Sequence, residues 1–409
     1  MKLWIKYLIG AALGAIIALV IPTENESVMS AIAFITEIVI RFGRYMVIPL
    51  VFFTAVIAFN RLRETKMLFK TGLWTGAVIA VSSLILTVVG LLSILLVKLP
   101  RIPITVEQVS EEAALGVGEL VKSILPYSAF ETLNNGSFVL AAFFFAMLIG
   151  TASTADQQLF KPVTQLADSL SKLMYNISII FTEFLSVGMF TILCSWTIQF
   201  RRILASGVFT PLILMLLVDL ILVAGVIYPL IIRYLCHDPH PYRILYASIC
   251  PAVTAFFSGD TNLVLQLNMR HGKESLGVRR RINGVVQPLF SIFARGGSAL
   301  VTAISFIVIW RSYSSLRIPF LDILWITAVS FGISFLLGGF PAGGAFVSIS
   351  VLCLMYSRGF ENGFLLLKPA APIICSFAAA FDALTALFGS YIIAVKTKSV
   401  EHHGISHYI

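Results

Sequence analysis

The sequence predicts an all-α integral membrane protein with about eight transmembrane helices and two re-entrant helical hairpins in an inverted repeat. Three observations predict it. The 409 residues are 58% hydrophobic and only 12% charged, against roughly half apolar and a quarter charged in soluble domains. Apolar runs long enough to cross the hydrocarbon layer, about 20 residues as helix, recur from end to end. In the last third the runs shorten, and turn residues interrupt two of them at matching places.

Span one covers residues 6–21. Lys2 and Lys6 precede an apolar stretch too long for a signal-peptide core, with no small-residue cleavage site after it, so it is expected to remain in the chain. Span two covers about residues 32–59, with Arg41, Arg44 and Pro49 toward its outer end, and span three about 72–97. A polar connector at 98–136 leads to span four near Ser137. Span five covers about 173–198 and contains Glu183; span six covers about 209–232 and contains Asp219. Glu183 and Asp219 read as polar contacts between helices rather than as site residues.

After Cys236 the pattern changes. The run 247–257 enters Ser258-Gly259-Asp260-Thr261-Asn262 and leaves through 263–269, too short on either side for a full span. The run 326–337 is broken in the same way by residues 338–344, Gly338 to Gly344, and resumes at 345–355. Each hairpin is followed by a long apolar run, 285–310 as span seven and 366–395 as span eight. Secondary transporters place substrate and ion sites where such broken helices meet near the midplane, since non-helical backbone at that depth must be buried in protein or face water.

The net charge of +9 does not point to nucleic acid, because the cations lie in short loops rather than interleaved with aromatics on one face. They read as topology signals and lipid-headgroup contacts. Lys2/Lys6, Arg61/Arg63/Lys66/Lys70, Arg270/Lys273/Arg279/Arg280/Arg281 and Lys396/Lys398 share one side if both termini are cytoplasmic, which puts the acidic segment 107–119 outside. Arg201 and Arg202 are local exceptions. The expected location is the plasma membrane, or the inner membrane of a Gram-negative-type cell. Five scattered cysteines, Cys194, Cys236, Cys250, Cys353 and Cys375, include no Cys-x-x-Cys pair, so neither a disulfide nor a metal site is expected. No catalytic motif is present, which argues against an enzyme. His402, His403 and His407 read as a solvated tail cluster.

The chain resembles the sodium:dicarboxylate symporter family of glutamate, aspartate and neutral amino acid carriers over nearly its whole length. The likeness lies in Arg44-Tyr45-Met46-Val47-Ile48-Pro49, in the stretch from Pro126 to Gly136, in Leu276-Gly277-Val278, and in Gly339-Phe340-Pro341-Ala342-Gly343-Gly344. It implies a homotrimer with an elevator mechanism. Residues 1–245 would be mainly scaffold and trimerisation spans, with spans three and six moving with the core. Residues 246–396 would form the transport core and 397–409 a cytoplasmic tail.

The family's chemical signatures are altered here. Its serine-rich first hairpin tip reads Gly259-Asp260-Thr261-Asn262. The span-seven break, whose Asn and Asp hold sodium in the family, reads Ala294-Arg295-Gly296-Gly297-Ser298. The polar ladder of span eight is matched by Cys375, Ala378, Ala379, Asp382 and Ala386. Carried over residue by residue, the resemblance implies a substrate site of Asp260, Thr261, Asn262, Arg295, Pro341, Ala342, Gly343, Ala379 and Asp382. Ser82, Ser83 and Ser298 would be weak ion ligands. So few anionic ligands would not offset the dehydration of sodium, which leaves a proton as the candidate coupling ion, with no cofactor.

Asp260, Arg295 and Asp382 map to one depth. Unpaired, each would cost about 2.5–3.5 kcal/mol at a helix centre, comparable in sum to the stability of a domain. They are expected to be paired or wet, with Arg295 facing Asp382, and Asp260 serves equally as ligand or as helix N-cap. The function expected is secondary transport of a small polar or anionic solute of the dicarboxylate or amino acid class. The alternatives are a proton-coupled or uncoupled exchanger of another substrate and, from a different class, a channel.

Overall fold

The computed structural model describes residues 2–21, 26–103, 117–118, 139–314, 318–401 and 408. Among them the chain is helical, and β-bridges pair only Asp260 with Ala342 and Val278 with Val400. The acidic residues of the segment 107–119, the stretch from Pro126 to Gly136, the start of span four and the three tail histidines lie outside the described residues.

Helix α1 is Leu3–Val20. The expected second span is broken into α2 (Glu26–Arg44) and α3 (Val47–Glu64). Pro49 has no N–H to offer the carbonyl of Tyr45, and its ring crowds that carbonyl, so the helix parts one turn before the proline. Next come α4 (Leu68–Leu96), α5 (Val139–Ala152) and α6 (Lys161–Ala205). The last has 45 residues and is therefore about 68 Å long, far beyond a bilayer's thickness. Expected span six is α7 (Thr210–Leu222) and α8 (Tyr228–Leu235), joined by a π-helical turn at Val223–Ile227.

The last third holds α9 (Tyr242–Ser258) and α10 (Thr261–Glu274), then α11 (Arg280–Phe293) and α12 (Gly296–Tyr313). It ends with α13 (Phe320–Ser334), α14 (Gly344–Tyr356) and α15 (Ala371–Lys396), the last preceded by a 3-10 turn at Gly363–Ala370. Among the described residues seven helical stretches are long and apolar enough to cross a membrane, and α5, α13 and α14 are shorter apolar helices.

Helices α12 and α15 form the centre. Every residue from Gly296 to Trp310 and from Ile373 to Ala394 is buried, as expected of helices that are apolar all round and enclosed by others. Arg270, expected in a loop, sits buried in α10. It donates to Glu183 of α6 at 3.0 Å and to the Thr182 hydroxyl at 2.7 Å. Glu183 also takes Lys6 of α1 at 2.5 Å. Asp219 accepts from the Ser93 hydroxyl of α4 at 2.9 Å, so both intramembrane carboxylates join helices. The tail is not free after Lys396, because Arg279 N–H donates to the Ser399 carbonyl and Glu401 N–H to that of Gly277.

Small residues bring α1 onto α6. A Cβ on Gly10 would lie 2.5 Å from the Ser186 carbonyl oxygen, and one on Gly14 would collide with the Phe190 carbonyl. This spacing of four gives the close backbone approach by which helices associate without a hydrophobic drive in lipid. Replacing Gly14 by Leu should separate the two helices and lower the unfolding temperature by several degrees, whereas Gly72→Leu, at a glycine with open space around it, should leave it nearly unchanged. Thermal unfolding of both variants in detergent makes the comparison.

Candidate functional site

The hairpin tips are built from capping chemistry. Helix α9 ends at Gly259, whose φ of +63° is a left-handed conformation that glycine adopts without a Cβ penalty. Asp260 then caps α10, its Oδ1 accepting from the N–H groups of Asn262 and Leu263 at 2.9 and 3.3 Å. The second tip turns at Gly343, φ +75°, into α14. The two tips meet: Thr261 N–H donates to the Pro341 carbonyl at 3.1 Å and the Thr261 hydroxyl approaches it at 3.3 Å, beside the Asp260–Ala342 bridge.

Below the tips lies the interruption between α11 and α12. Ala294 and Arg295 leave helical geometry, which frees the first N–H groups of α12. Asp382 of α15 supplies the missing acceptor from another helix. Its Oδ1 receives Gly297 N–H at 2.7 Å and its Oδ2 the Ser298 hydroxyl at 3.2 Å. Arg295 Nη1 stands 3.6 Å from the same Oδ2, an ion pair rather than a hydrogen bond, and its Nη2 donates to the Phe340 carbonyl at 3.2 Å. Gly297 is needed for this approach, because a Cβ there would lie 2.6 Å from the Ala378 carbonyl oxygen and 2.8 Å from Asp382 Oδ1. Asp260, Arg295 and Asp382 are only 1%, 3% and 4% exposed, so all three charges are sealed and paired.

The structure brings together Asp260, Thr261, Pro341 and Ala342 at the tips, and Arg295, Ser298 and Asp382 beneath them. Asn262 joins through its Oδ1, which accepts from the Ser291 hydroxyl of α11 at 3.3 Å. Ser83 lies against the interruption, its Cα 2.7 Å from where a Cβ on Gly296 would be. Ser82 points elsewhere, donating to the Ile79 carbonyl at 3.1 Å and lining an apolar cavity of 700 Å³ with Tyr228 and Thr385. Ala379 packs in an apolar cluster with Ala255, Val264 and Ala383 rather than among the polar groups.

Arg44 is the residue that the sequence left out of the site. It forms an ion pair with Asp260 Oδ2 from the end of α2, so Asp260 is both cap and ion-pair partner. Its place in the motif before Pro49 was visible, but its reach to a residue 216 positions away was not. Three buried polar atoms around the interruption have no partner among the described residues: Ser83 Oγ, Asn262 Nδ2 and Arg295 Nε. The latter two are donors only.

Residues 3–396 match the sodium:dicarboxylate symporter family. The chain belongs to that family. It is similar to the neutral amino acid transporters B(0) of Homo sapiens, at 27% identity, and of Rattus norvegicus, at 26%, in each case over 122 residues. That match takes in 30% of this chain and 22% of each transporter, so it spans about a fifth of the curated relatives' length. The family is one of membrane transporters, in keeping with the long apolar helices and with a small-molecule rather than a macromolecular ligand.

Within this family member the Arg295–Asp382 pair is unevenly supported. Without Arg295, Asp382 keeps two donors; without Asp382, Arg295 keeps the Phe340 carbonyl alone and α12 loses its cap. Asp382→Ala should therefore cost about 3–5 kcal/mol, the usual range for breaking a buried pair. Arg295→Ala should cost about 1–3 kcal/mol, as for a buried group left with partial hydrogen bonding. Chemical denaturation in detergent reads both, and equal losses would contradict the asymmetry.

Proposed function

We propose that this chain is a secondary transporter of a small anionic solute, of the dicarboxylate or amino acid class, moved by an elevator-type alternating-access mechanism without sodium. The observation that carries it is the pair of donors without an acceptor among the described residues, Asn262 Nδ2 and Arg295 Nε, buried beside the meeting of the hairpin tips. Donors left unpaired in a low-dielectric site cost about 1–3 kcal/mol each, and a carboxylate offers the acceptors they lack. A guanidinium also suits a carboxylate geometrically. Thr261 and the backbone of Pro341, Ala342 and Gly343 would close over the bound solute. An incoming anion would compete with Asp382 for Arg295, and a proton on Asp382 would favour the exchange, which couples transport to protons.

Sodium is disfavoured by the residues at the interruption. Ala294, Gly296 and Ala386 carry no ligand side chains, and Ser83 and Ser298 are hydroxyls without a carboxylate of their own beyond the one paired to Arg295. The resident guanidinium already supplies the positive charge that a bound cation would bring. A channel is disfavoured because the three charges are sealed. A proton-coupled or uncoupled exchanger of a non-amino-acid solute shares the same site and differs only in the cargo.

In membrane terms, the seven long helical stretches together with α5 make up eight spans. The hairpins α9–α10 and α13–α14 dip from opposite faces, each followed by one core span, and both termini are cytoplasmic. The core from 246 to 396 would travel past a scaffold drawn mainly from residues 1–245, in a homotrimer at the plasma membrane.

Proteoliposomes test the coupling. Uptake of labelled aspartate or succinate should rise several-fold when the outside is made acidic and should not change under an inward sodium gradient at fixed pH and membrane potential; acceleration by sodium alone would refute the proposal. Topology is read separately by cysteine accessibility. Single cysteines at Arg280 and Lys398 should be labelled from the cytoplasmic face, and labelling from opposite faces would remove the inverted repeat.

A further inference from the structure

We propose that a basic cavity at the opposite end of α10 from the first hairpin tip, formed by the end of α3, the end of α10, the start of α11 and Glu401, binds a phosphate-bearing anion. The cavity has a volume of 990 Å³, at the upper end of what small-molecule sites occupy and ample for a diphosphate or a lipid headgroup. Arg61, Lys273, Arg279, Arg280 and Arg281 line it.

Its positive charges are not matched by its own carboxylates. Arg61 and Arg280 both turn to the single carboxylate of Asp168, at 3.0 and 3.3 Å, which Lys172 also holds at 2.7 Å. Arg279 takes Glu401 at 3.2 Å, and Glu274 is engaged by Arg270 and by the Tyr175 hydroxyl. Lys273 and Arg281 have no carboxylate partner within 4 Å among the described residues. Lys273 lies 3.8 Å above the Tyr175 ring. Arg281 donates from Nη2 to the Ser399 hydroxyl at 3.3 Å, and its buried Nε has no acceptor among the described residues. Glu64 is the one acidic group on the wall left without an ion pair among them.

Backbone chemistry adds to the charge. Helix α11 begins here with Arg279 at its N-cap, no side-chain cap and no acidic residue in its first turn. The N–H groups of Arg280 and Arg281 have no acceptor within the helix, and the positive end of a helix favours phosphate. One guanidinium and one ammonium free of carboxylate partners among the described residues, together with a helix N-terminus, surround one cavity and form a set that suits a phosphate group, whose oxygens accept several hydrogen bonds at once. The same anion could arrive free in solution or as the headgroup of an acidic lipid. Because α3 lies outside the hairpin core and α10–α11 inside it, a bound anion would tie one to the other. Any effect on uptake rests on the transport function proposed above, whereas binding does not.

The test uses the full-length protein in nanodiscs of phosphatidylcholine alone or with phosphatidylglycerol. Inorganic pyrophosphate in phosphatidylcholine discs, at constant ionic strength against sulfate, is expected to raise the unfolding temperature saturably. Lys273→Gln and Arg281→Gln should each weaken its apparent affinity at least fivefold, while Arg202→Gln, at an exposed arginine on α6, should not. If the headgroup is the source, native mass spectrometry should retain phosphatidylglycerol over phosphatidylcholine, with pyrophosphate displacing it and the same two substitutions reducing it. Either pattern supports the site and tells the sources apart. Absence of saturable binding by both probes, or equal weakening by Arg202→Gln, overturns it, even if uptake proceeds as proposed.

Discussion

A helix interrupted inside an apolar medium exposes backbone donors that no water can satisfy, and the centre of this protein is organised around meeting that demand. Two aspartates do so. Asp260 caps α10 from the adjoining position, in the ordinary local manner. Asp382 caps α12 from a separate helix, through Gly297 N–H and the Ser298 hydroxyl, so the start of α12 is held only while α15 is packed against it. The absence of a Cβ at Gly297, which faces the Ala378 carbonyl and the Phe381 Cβ of α15, lets the two helices come that close. Capping with a carboxylate also brings in a charge, and a buried charge needs a partner. Arg44 and Arg295 are therefore consequences of the caps.

Much of this was legible in the sequence because it follows from period and length. Composition points to the medium, the shortened apolar runs mark the short paired helices α9–α10 and α13–α14, and Gly259 and Gly343 mark the turns between them. The Arg295–Asp382 contact was legible too, since two opposite charges at one depth in apolar helices have few other ways to be stable. What escaped was geometry set by packing. The division of α2 from α3 at Tyr45 follows from Pro49, yet a proline in an apolar run is as often tolerated as a kink. Arg270 looked like a loop charge because Lys273 and the three arginines after it are near; only the register of α10 places it inward against Glu183. Ser82 and Ser83 are adjacent and chemically alike, and the helical twist alone sends one to the interruption and the other to an apolar cavity. Residue type could not separate them.

The two central ion pairs differ in a way that bears on motion. Arg295 and Asp382 are nearly inaccessible, with side chains 3% and 4% exposed, while Arg44 keeps 29% of its side chain in contact with the surroundings. Separating the inner pair inside the protein would strand two charges at a cost of several kcal/mol. Separating the outer pair returns Arg44 toward water and leaves Asp260, itself 1% exposed, with its two backbone donors, so one charge rather than two is stranded. Arg44 belongs to α2 and Asp260 to the first hairpin, whereas Arg295 and Asp382 both lie on the helices that follow the hairpins. In the elevator motion proposed, the hairpins and those helices travel together past α2. The contact that would have to break is then the one whose arginine reaches the surroundings, and the contact that would persist is the one with both partners sealed. On the function proposed above, a carboxylate arriving with a proton would replace Asp382 at Arg295 while leaving Asp382 neutral and still held by Gly297 N–H and the Ser298 hydroxyl, so that neither charge would be stranded.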